Sequence, residues 1–345
     1  MTKSNFFLIG LTLLLISSYG NAQRPYGQPQ ILIGFYNCEN FYDTTNQLNV
    51  ADEDFLPNSE KKYTQSVYEN KVTSLAEVIH SLGVIENVNG IALLGLAEIE
   101  NQWVLSKLIN HPLIKKFHYQ FIHFDSKDTR GVDVALLFNP AQFIPYQKKS
   151  YSLTDQTHFT TYATRDILYV KGRLMNEWVH VLVNHWPSRL GGEKKSASKR
   201  IWASQVCKKI MDSVHGLDPL ARFVVMGDFN DNPSNKSMTQ LQMENPFMKM
   251  YKKGIGSLAY NDAWNLFDQI LLCKEWNGPK AGKSSKFSLS NYKSIVYNNQ
   301  ILVENKGRYA GYPKRTYVGS IYNAGYSDHF PVALIFTLKM AENPQ

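Results

Sequence analysis

Short apolar runs alternate with helix-like segments along most of the chain, and this alternation limits the fold more than any other feature. Seven runs have the length and the Val, Ile and Phe content of buried strands: 31–37, 91–98, 132–138, 179–185, 223–228, 267–272 and 332–338. Residues 59–82 and 196–214 carry apolar side chains at three-to-four spacing, which predicts amphipathic helices. Strands that alternate with helices predict α/β layers around a sheet core.

The first 22 residues have the features of a secretory signal peptide. Lys3 precedes an apolar stretch at 6–17, and Ala22 ends a group of small residues that suits cleavage. This stretch is too short for a comfortable membrane span, although a retained anchor helix is the alternative, and no later run is long enough to span. We therefore expect an exported protein, periplasmic or extracellular, in which residues 23–345 form a single domain.

Composition narrows the class of protein further. A hydrophobic content of 43% is typical of a globular chain. Three cysteines cannot supply a disulfide framework, and no Cys/His spacing typical of zinc sites is present. The formal net charge of +8 favours anionic partners such as nucleic acid, phosphoesters or acidic lipid.

Polar residues occur where five of the predicted strands begin or end. They are Asn37, Glu98, His185, Asp228 and the pair 328–329. Each alone is more often a turn former or a solvated strand end. Ligands of α/β sheets bind beyond strand ends, and carboxylate and amide oxygens are the ligands that Mg²⁺ prefers. Five such positions together therefore favour a metal site with two histidines beside it.

The segments around these residues resemble the endonuclease/exonuclease/phosphatase superfamily. They are Asn37, LLGLAEIEN, RGVDVALLF, NHWPSR, GDFND, FDQILL and SDHFPV, spread over 31–338. GDFND followed by SDHFPV is the most specific pair, and the histidine of NHWPSR is similar to that of pancreatic-type deoxyribonuclease and bacterial sphingomyelinase. The resemblance implies a four-layer α/β/β/α sandwich, in which two packed mixed sheets are flanked by helices and the site lies at one rim.

The same resemblance implies which residues hold the metal and the water. Glu98 would be the principal metal ligand, assisted by Asn37 and Asp328. Asp228 would orient or deprotonate the attacking water, and Asn230 would contact phosphate or metal beside it. We expect Mg²⁺ as the ion, with Mn²⁺ and Ca²⁺ as alternatives.

Two histidine–carboxylate pairs follow from the resemblance as well. His329 would bind a phosphate oxygen with Asp268 as its partner, and His185 would donate a proton to the leaving oxygen with Asp133 as its orienting carboxylate. A carboxylate partner can hold an imidazole in its charged form. Sequence proximity does not establish either pairing, and for Asp133 a plain strand-edge charge is the alternative.

Two arginines flank these segments. Arg130 and Arg189 are candidate phosphate contacts, because the guanidinium fork matches a phosphate group. The alternative for each is a salt bridge that fixes its loop.

These observations predict a metal-dependent phosphodiesterase that cleaves by attack of water, and a nuclease is the favoured kind. Section 280–315 carries eight basic residues against one acid, with aromatic residues between them, which favours nucleic acid as the partner. The alternatives are a phospholipid (sphingomyelinase-like) or small phosphoester substrate, and a non-catalytic binding protein with the same fold. No protein partner is predicted.

Overall fold

The computed structural model describes residues 30–338, except 86–87, 156–161, 176 and 277–291. The predicted signal peptide, residues 1–22, lies outside the described residues. Within those residues, no helix combines the length and the apolar character that crossing a membrane would require.

Two large sheets form the centre of the fold, and helices connect their strands. The strands are β1 Gln30–Phe41, β2 Leu93–Ile99, β3 Gln120–His123, β4 Asp133–Phe138, β5 Phe143–Asp155, β6 Tyr162–Leu174, β7 Glu177–His185, β8 Phe223–Asp228, β9 Leu258–Tyr260, β10 Ala263–Asn265, β11 Asp268–Leu272, β12 Tyr292–Val296, β13 Tyr317–Val318, β14 Ile321–Tyr322 and β15 Val332–Thr337. The helices are α1 Gln65–Leu82, α2 Gln102–Ile109, α3 Pro112–Lys115, α4 Glu193–His215, α5 Lys236–Thr239 and α6 Met248–Lys252.

The first sheet has the order β12-β15-β1-β2-β4-β3, and the second has the order β11-β8-β7-β6-β5. β1 is parallel to β2 and β7 is parallel to β8, whereas the other pairs in both sheets are antiparallel. Both sheets are therefore mixed, and the predicted α/β sandwich architecture is confirmed.

Alternation along β1 shows how the layers pack. Ile33 and Phe35 belong to the apolar cluster shared with the second sheet, whereas Leu32 belongs to the cluster shared with α1. The side-chain period of two thus sends one face of the strand to the other sheet and one face to the helices. On the far side of the second sheet, Ala203 and Cys207 of α4 complete the first cluster.

A glycine brings the two sheets into close contact just below the site. A Cβ on Gly95 of β2 would lie 2.6 Å from Met226 Sδ of β8 and 2.9 Å from Phe35. Only a residue without a side chain allows this approach. Glu98 and Asp228 follow three and two residues later on the same strands, and they emerge at the same rim.

All seven predicted strands are present, and both predicted helices form with shifted ends. Sequence reasoning missed β3, β5 and β6 because their alternating polar residues form no continuous apolar run. Sequence reasoning also predicted no strand in the basic section 280–315, whereas β12 pairs with β15 at the edge of the first sheet. The first part of that section lies outside the described residues.

Candidate active site

The strand-end residues meet at one rim of the sandwich. Parallel pairing carries the ends of β1 and β2, and of β7 and β8, to the same edge, and β11 begins opposite the end of β8 through the Asp268–Asp228 pair. His329 lies three residues before β15, which runs antiparallel to β1. The rim therefore collects Asn37, Glu98, His185, Asp228, Asp268 and His329.

Irregular backbone at the ends of β1 and β2 aims the acidic side chains. After Asn37, Glu39 and Asn40 have φ values of 48° and 55°, and Glu98 in β2 has a φ of 61°. The pairing register of both strands shifts at these positions. The backbone N–H of Asn40 donates to Glu98 Oε2 at 2.8 Å. Such bulges redirect side chains, and here they fix the Glu98 carboxylate at the rim.

Glu98 and Asn37 supply oxygens of the kind that a hard cation binds. Glu98 Oε1 lies 3.7 Å from Arg130 Nη2 and 3.9 Å from His185 Nε2. Both distances exceed that of a hydrogen bond, so this oxygen can accept a cation. Asn37 is buried, its Nδ2 donates to Asp228 Oδ2 at 3.0 Å, and its Oδ1 accepts the backbone N–H of Glu39 at 3.0 Å with one lone pair left over. The donor set fits Mg²⁺ chemistry.

Asp328, the third predicted metal ligand, forms an ion pair at the edge of the site. Arg315 Nη2 donates to Asp328 Oδ2 at 2.8 Å, and Arg315 Nε also donates to Glu39 at 3.3 Å. The other oxygen of Asp328 lies 3.9 Å from His329 Nε2. Asp328 thus links Arg315 to His329.

The predicted pairing of His329 with Asp268 is confirmed. His329 Nδ1 lies 2.6 Å from Asp268 Oδ2, and the Ser257 hydroxyl donates to the same oxygen at 2.5 Å. Burial lowers the pKa of His329, but the charge and hydrogen bond of Asp268, with Asp328 and Asp228 nearby, outweigh it and raise the pKa well above its usual value.

Asp228 lies beside this pair. One oxygen or nitrogen from each of Asp228, Asp268 and His329 falls within 4.8 Å of the others. Burial raises the pKa of Asp228 to about 6, the charge of Asp268 adds to this effect, and His329 opposes it. His329 therefore lies in one small buried cluster with two carboxylates.

The predicted pairing of His185 with Asp133 is wrong. Asp133 Oδ2 lies 3.2 Å from His123 Nε2, and Asp133 Oδ1 accepts from the backbone N–H of Ser126. Antiparallel pairing of β3 with β4 places His123 opposite Ala135, two residues from Asp133 and on the same face of the sheet. Because β3 was not expected, sequence reasoning could not find this partner.

His185 instead faces the two carboxylates of the site. Its Nε2 lies 3.6 Å from Asp228 Oδ2, and its Nδ1 has no hydrogen-bond partner among the described residues. Burial lowers the pKa of His185 well below its usual value, and the charges of Arg165 and Arg130 lower it further. Among the described residues, no carboxylate therefore accepts a hydrogen bond from Nδ1 of His185, as the prediction required for the charged form.

Arg189 fixes its loop, as the alternative interpretation held. Its Nε donates to the backbone oxygen of Asn230 at 2.9 Å, Nη1 to Glu193 at 2.8 Å and Nη2 to Asp231 at 3.1 Å. This fork is engaged by protein groups, so the predicted phosphate contact is not supported. Asn230 also braces the loops, because its Nδ2 donates to Trp186 O at 3.0 Å.

Arg130 differs from Arg189, since its side chain is 42% exposed and lies at the edge of Glu98. It stays a candidate phosphate contact.

Two further arginines were not predicted. Arg315 is one of eight basic residues in the basic section, and nothing in the sequence distinguishes it from the others. Arg165 is one of the charged residues within the stretch that forms β6. Arg165 is buried and donates to Asp128 at 3.1 Å and to Trp186 O at 2.8 Å.

The sequence matches the model of the Endonuclease/Exonuclease/phosphatase family over residues 32–338. The chain belongs to this family. Comparison with curated proteins gives no match.

Solved structures share the fold of this family member at low identity. The human Nocturnin catalytic domain with bound sulfate anion is 14% identical, with a TM-score of 0.53 over 90% of this chain and 96% of that one. D. rerio TDP2 complexed with single strand DNA product is 12% identical, with a TM-score of 0.52 over 89% and 98%. A family protein from Bacteroides thetaiotaomicron is 13% identical, with a TM-score of 0.52 over 91% and 100%.

Proposed function

We propose that this protein is an exported, divalent-metal-dependent phosphodiesterase that hydrolyses nucleic acid. The observation that carries the proposal is the meeting of hard oxygen donors, Glu98 and Asn37, with the His329–Asp268 pair at one rim. A phosphodiester anion repels a nucleophile, so its hydrolysis needs charge neutralisation and an oriented water. The rim offers groups for both needs.

Each residue has a role that its contacts support. Glu98 and Asn37, with Asp328 as the further candidate, would hold Mg²⁺, which when bound polarises a phosphate oxygen and stabilises developing negative charge. The His329 imidazolium donates from Nε2 to a non-bridging phosphate oxygen, while Asp268 keeps the ring oriented. Asp228 orients the attacking water and accepts its proton.

The remaining assignments concern the leaving oxygen and the substrate. The lowered pKa of His185 does not support its predicted role as proton donor to the leaving oxygen, and we propose instead that its Nε2, which faces Asp228 and Glu98, makes a hydrogen bond to the substrate. Arg130 contacts a flanking phosphate oxygen through the exposed part of its fork. Nucleic acid is favoured over lipid because, in the described part of the basic section, Arg315 pairs with Asp328 at the rim, and Tyr309 and Tyr312 line the same neighbouring cavity.

The test compares substrates and metal ions with matched variants. We expect the purified protein to cut plasmid DNA or RNA with Mg²⁺, to lose activity with a chelator and to regain it when Mg²⁺ returns. Glu98→Gln and His329→Ala should each lower kcat/KM by about 100-fold or more. Glu69→Gln and His118→Ala, which change exposed residues of the same types, should leave it unchanged.

Chelator-insensitive activity, or full activity in both site variants, would contradict the proposal. Cleavage of sphingomyelin but not of nucleic acid would favour the lipid alternative. Export has a separate test: N-terminal sequencing of the protein recovered outside the cytoplasm should begin at Gln23, and an intact Met1 would refute cleavage after Ala22.

A further inference from the structure

A cavity of about 350 Å³ opens next to the candidate active site. One wall is the β9–β10 hairpin, and the other is the segment 304–323. Arg315 and Asp328 form the boundary between this cavity and the catalytic rim, since Asp328 Oδ1 lies 3.9 Å from His329 Nε2. A group attached to a phosphate at His329 can therefore reach the cavity.

Hydrogen bonds across the cavity hold its two walls together. Arg308 donates through both terminal nitrogens to Asp262, at 2.9 and 2.6 Å. The hydroxyl of Tyr312 donates to Asp262 at 2.5 Å. Below them, Trp264 stacks on Phe330, the residue after His329, with ring centroids 6.1 Å apart. These contacts fix the shape of the cavity, and the Trp264–Phe330 stack connects the cavity to the catalytic rim.

The lining combines aromatic rings with amide groups. Tyr260 and Tyr309 are 70% and 47% exposed, so their rings are accessible, and Tyr312 lies 5.6 Å from Tyr309 between centroids. Asn261 and Asn323 also line the cavity, and Nδ2 of Asn323 already donates to protein oxygens. Rings of this kind stack on any planar heterocycle, and amide groups can pair with the donors and acceptors along its edge.

We propose that this cavity receives the nucleobase of the nucleoside attached to the scissile phosphate. The inference rests on the proposed function and adds a base-binding subsite to it. The volume lies within the range of small-molecule pockets. A choline headgroup is the competing occupant, because aromatic rings also bind quaternary ammonium groups. The Asn261 amide favours the base, since a quaternary ammonium group offers no hydrogen-bonding edge, and the two carboxylates of the lining, Glu304 and Asp328, already accept from Asn323 and Arg315.

The test uses three diesters with one leaving group: thymidine 5′-(p-nitrophenyl phosphate), methyl p-nitrophenyl phosphate and p-nitrophenyl phosphorylcholine. We expect the wild-type protein to favour the thymidine ester over the other two. Tyr309→Ala should lower kcat/KM for the thymidine ester by about 5- to 150-fold, the range that one base–aromatic stack gives, and leave the methyl ester unchanged.

Two controls separate stacking from other effects. Tyr309→Phe keeps the ring and should keep the preference for the thymidine ester. Tyr146→Ala removes an equally accessible ring from β5, at the far edge of the second sheet, and should change neither substrate.

The outcomes distinguish the subsite from the proposed function. Equal losses on the thymidine and methyl esters, or no loss on either, would overturn the subsite while the phosphodiesterase assignment stands. A preference for the phosphorylcholine ester that Tyr309→Ala abolishes would assign the cavity to choline and overturn the base. Failure of the wild-type protein to hydrolyse any of the three would contradict the proposed function and the inference with it.

Discussion

A buried lysine offers the sharpest test of how the rim is held in place. Lys71 of α1 is 2% exposed, and its ammonium donates to Thr316 Oγ1 at 2.6 Å and to Tyr326 O at 2.7 Å. The backbone N–H of Thr316 donates in turn to Glu39 at 2.6 Å. Lys71 therefore ties α1 to the segment that carries Arg315, and we choose Lys71→Met as the perturbation because it keeps the length and removes the donors.

The size of the effect follows from the groups left behind. One buried and one partly buried acceptor lose their donor, and a buried acceptor costs about 1–3 kcal/mol when it stays unpaired. Glu39 also loses a nearby positive charge, whereas removal of a buried ammonium gives back part of its desolvation cost. The balance is a loss of about 2–4 kcal/mol in the free energy of unfolding. At about 2 °C per kcal/mol for a chain of this size, Tm should fall by about 4–8 °C.

Calorimetry of the purified protein measures this change, with Lys107→Met as the matched control. Lys107 is exposed on α2, so its replacement should change stability by no more than about 0.5 kcal/mol. The double variant of Lys71→Met with Glu39→Gln should be less destabilised than the sum of the single variants by about 1 kcal/mol, because the second change removes a carboxylate that has kept Arg315 but lost its other positive neighbour.

A fall in Tm no larger than that of Lys107→Met would refute the reasoning about unpaired acceptors. If the effects of the two single changes on the free energy of unfolding simply add, the part of the reasoning that concerns charge would be refuted, since additivity would show that Lys71 does not stabilise the Glu39 carboxylate.

Two further predictions concern the sheets. Gly95→Ala should destabilise the protein by about 1–3 kcal/mol, because the added Cβ would lie 2.6 Å from Met226 Sδ; calorimetry measures the loss, and wild-type stability would show that the sheets separate freely. Burial, with a smaller effect of the charge of Lys171, lowers the pKa of His180 to about 4, so protonation below pH 6.5 favours the unfolded chain. Between pH 6.5 and 4 the free energy of unfolding of the wild type should therefore fall by about 1–2 kcal/mol more than that of His180→Phe, after allowance for solvent screening. Urea titrations at each pH measure both proteins, and parallel pH profiles would contradict the prediction.

The sequence predicted those parts of the site that depend on single strands. Asp228 ends an apolar run, and His329 precedes another, so their places at the rim follow from the strand boundaries. Once parallel and antiparallel neighbours are assigned, Asp268 must lie opposite Asp228. The pairing of His329 with Asp268 is therefore accessible from sequence with the resemblance as a guide.

Contacts between unrecognised elements were out of reach. His123 takes the carboxylate of Asp133 because β3, a strand of four residues with no apolar run, pairs with β4. Arg165 reaches Asp128 over 37 positions of sequence. Neither contact has a local signal, because the partner is chosen by sheet pairing, and the same reason explains the wrong partner assigned to His185.

The backbone conformation of Glu98 could not be predicted from the sequence either. This conformation explains how the Glu98 carboxylate stays in place. A left-handed conformation costs about 1–3 kcal/mol in a residue other than glycine. This strained conformation is kept because the two irregular strand ends form a hydrogen bond with each other. The bulge at Asn40 frees a backbone N–H from the sheet, and the bulge at Glu98 turns a carboxylate oxygen toward that N–H. Regular pairing would have used that N–H in the ladder and left Glu98 without its anchor. The strain therefore fixes one carboxylate oxygen, while the other, 3.7 Å from Arg130, faces the rim where a cation would bind.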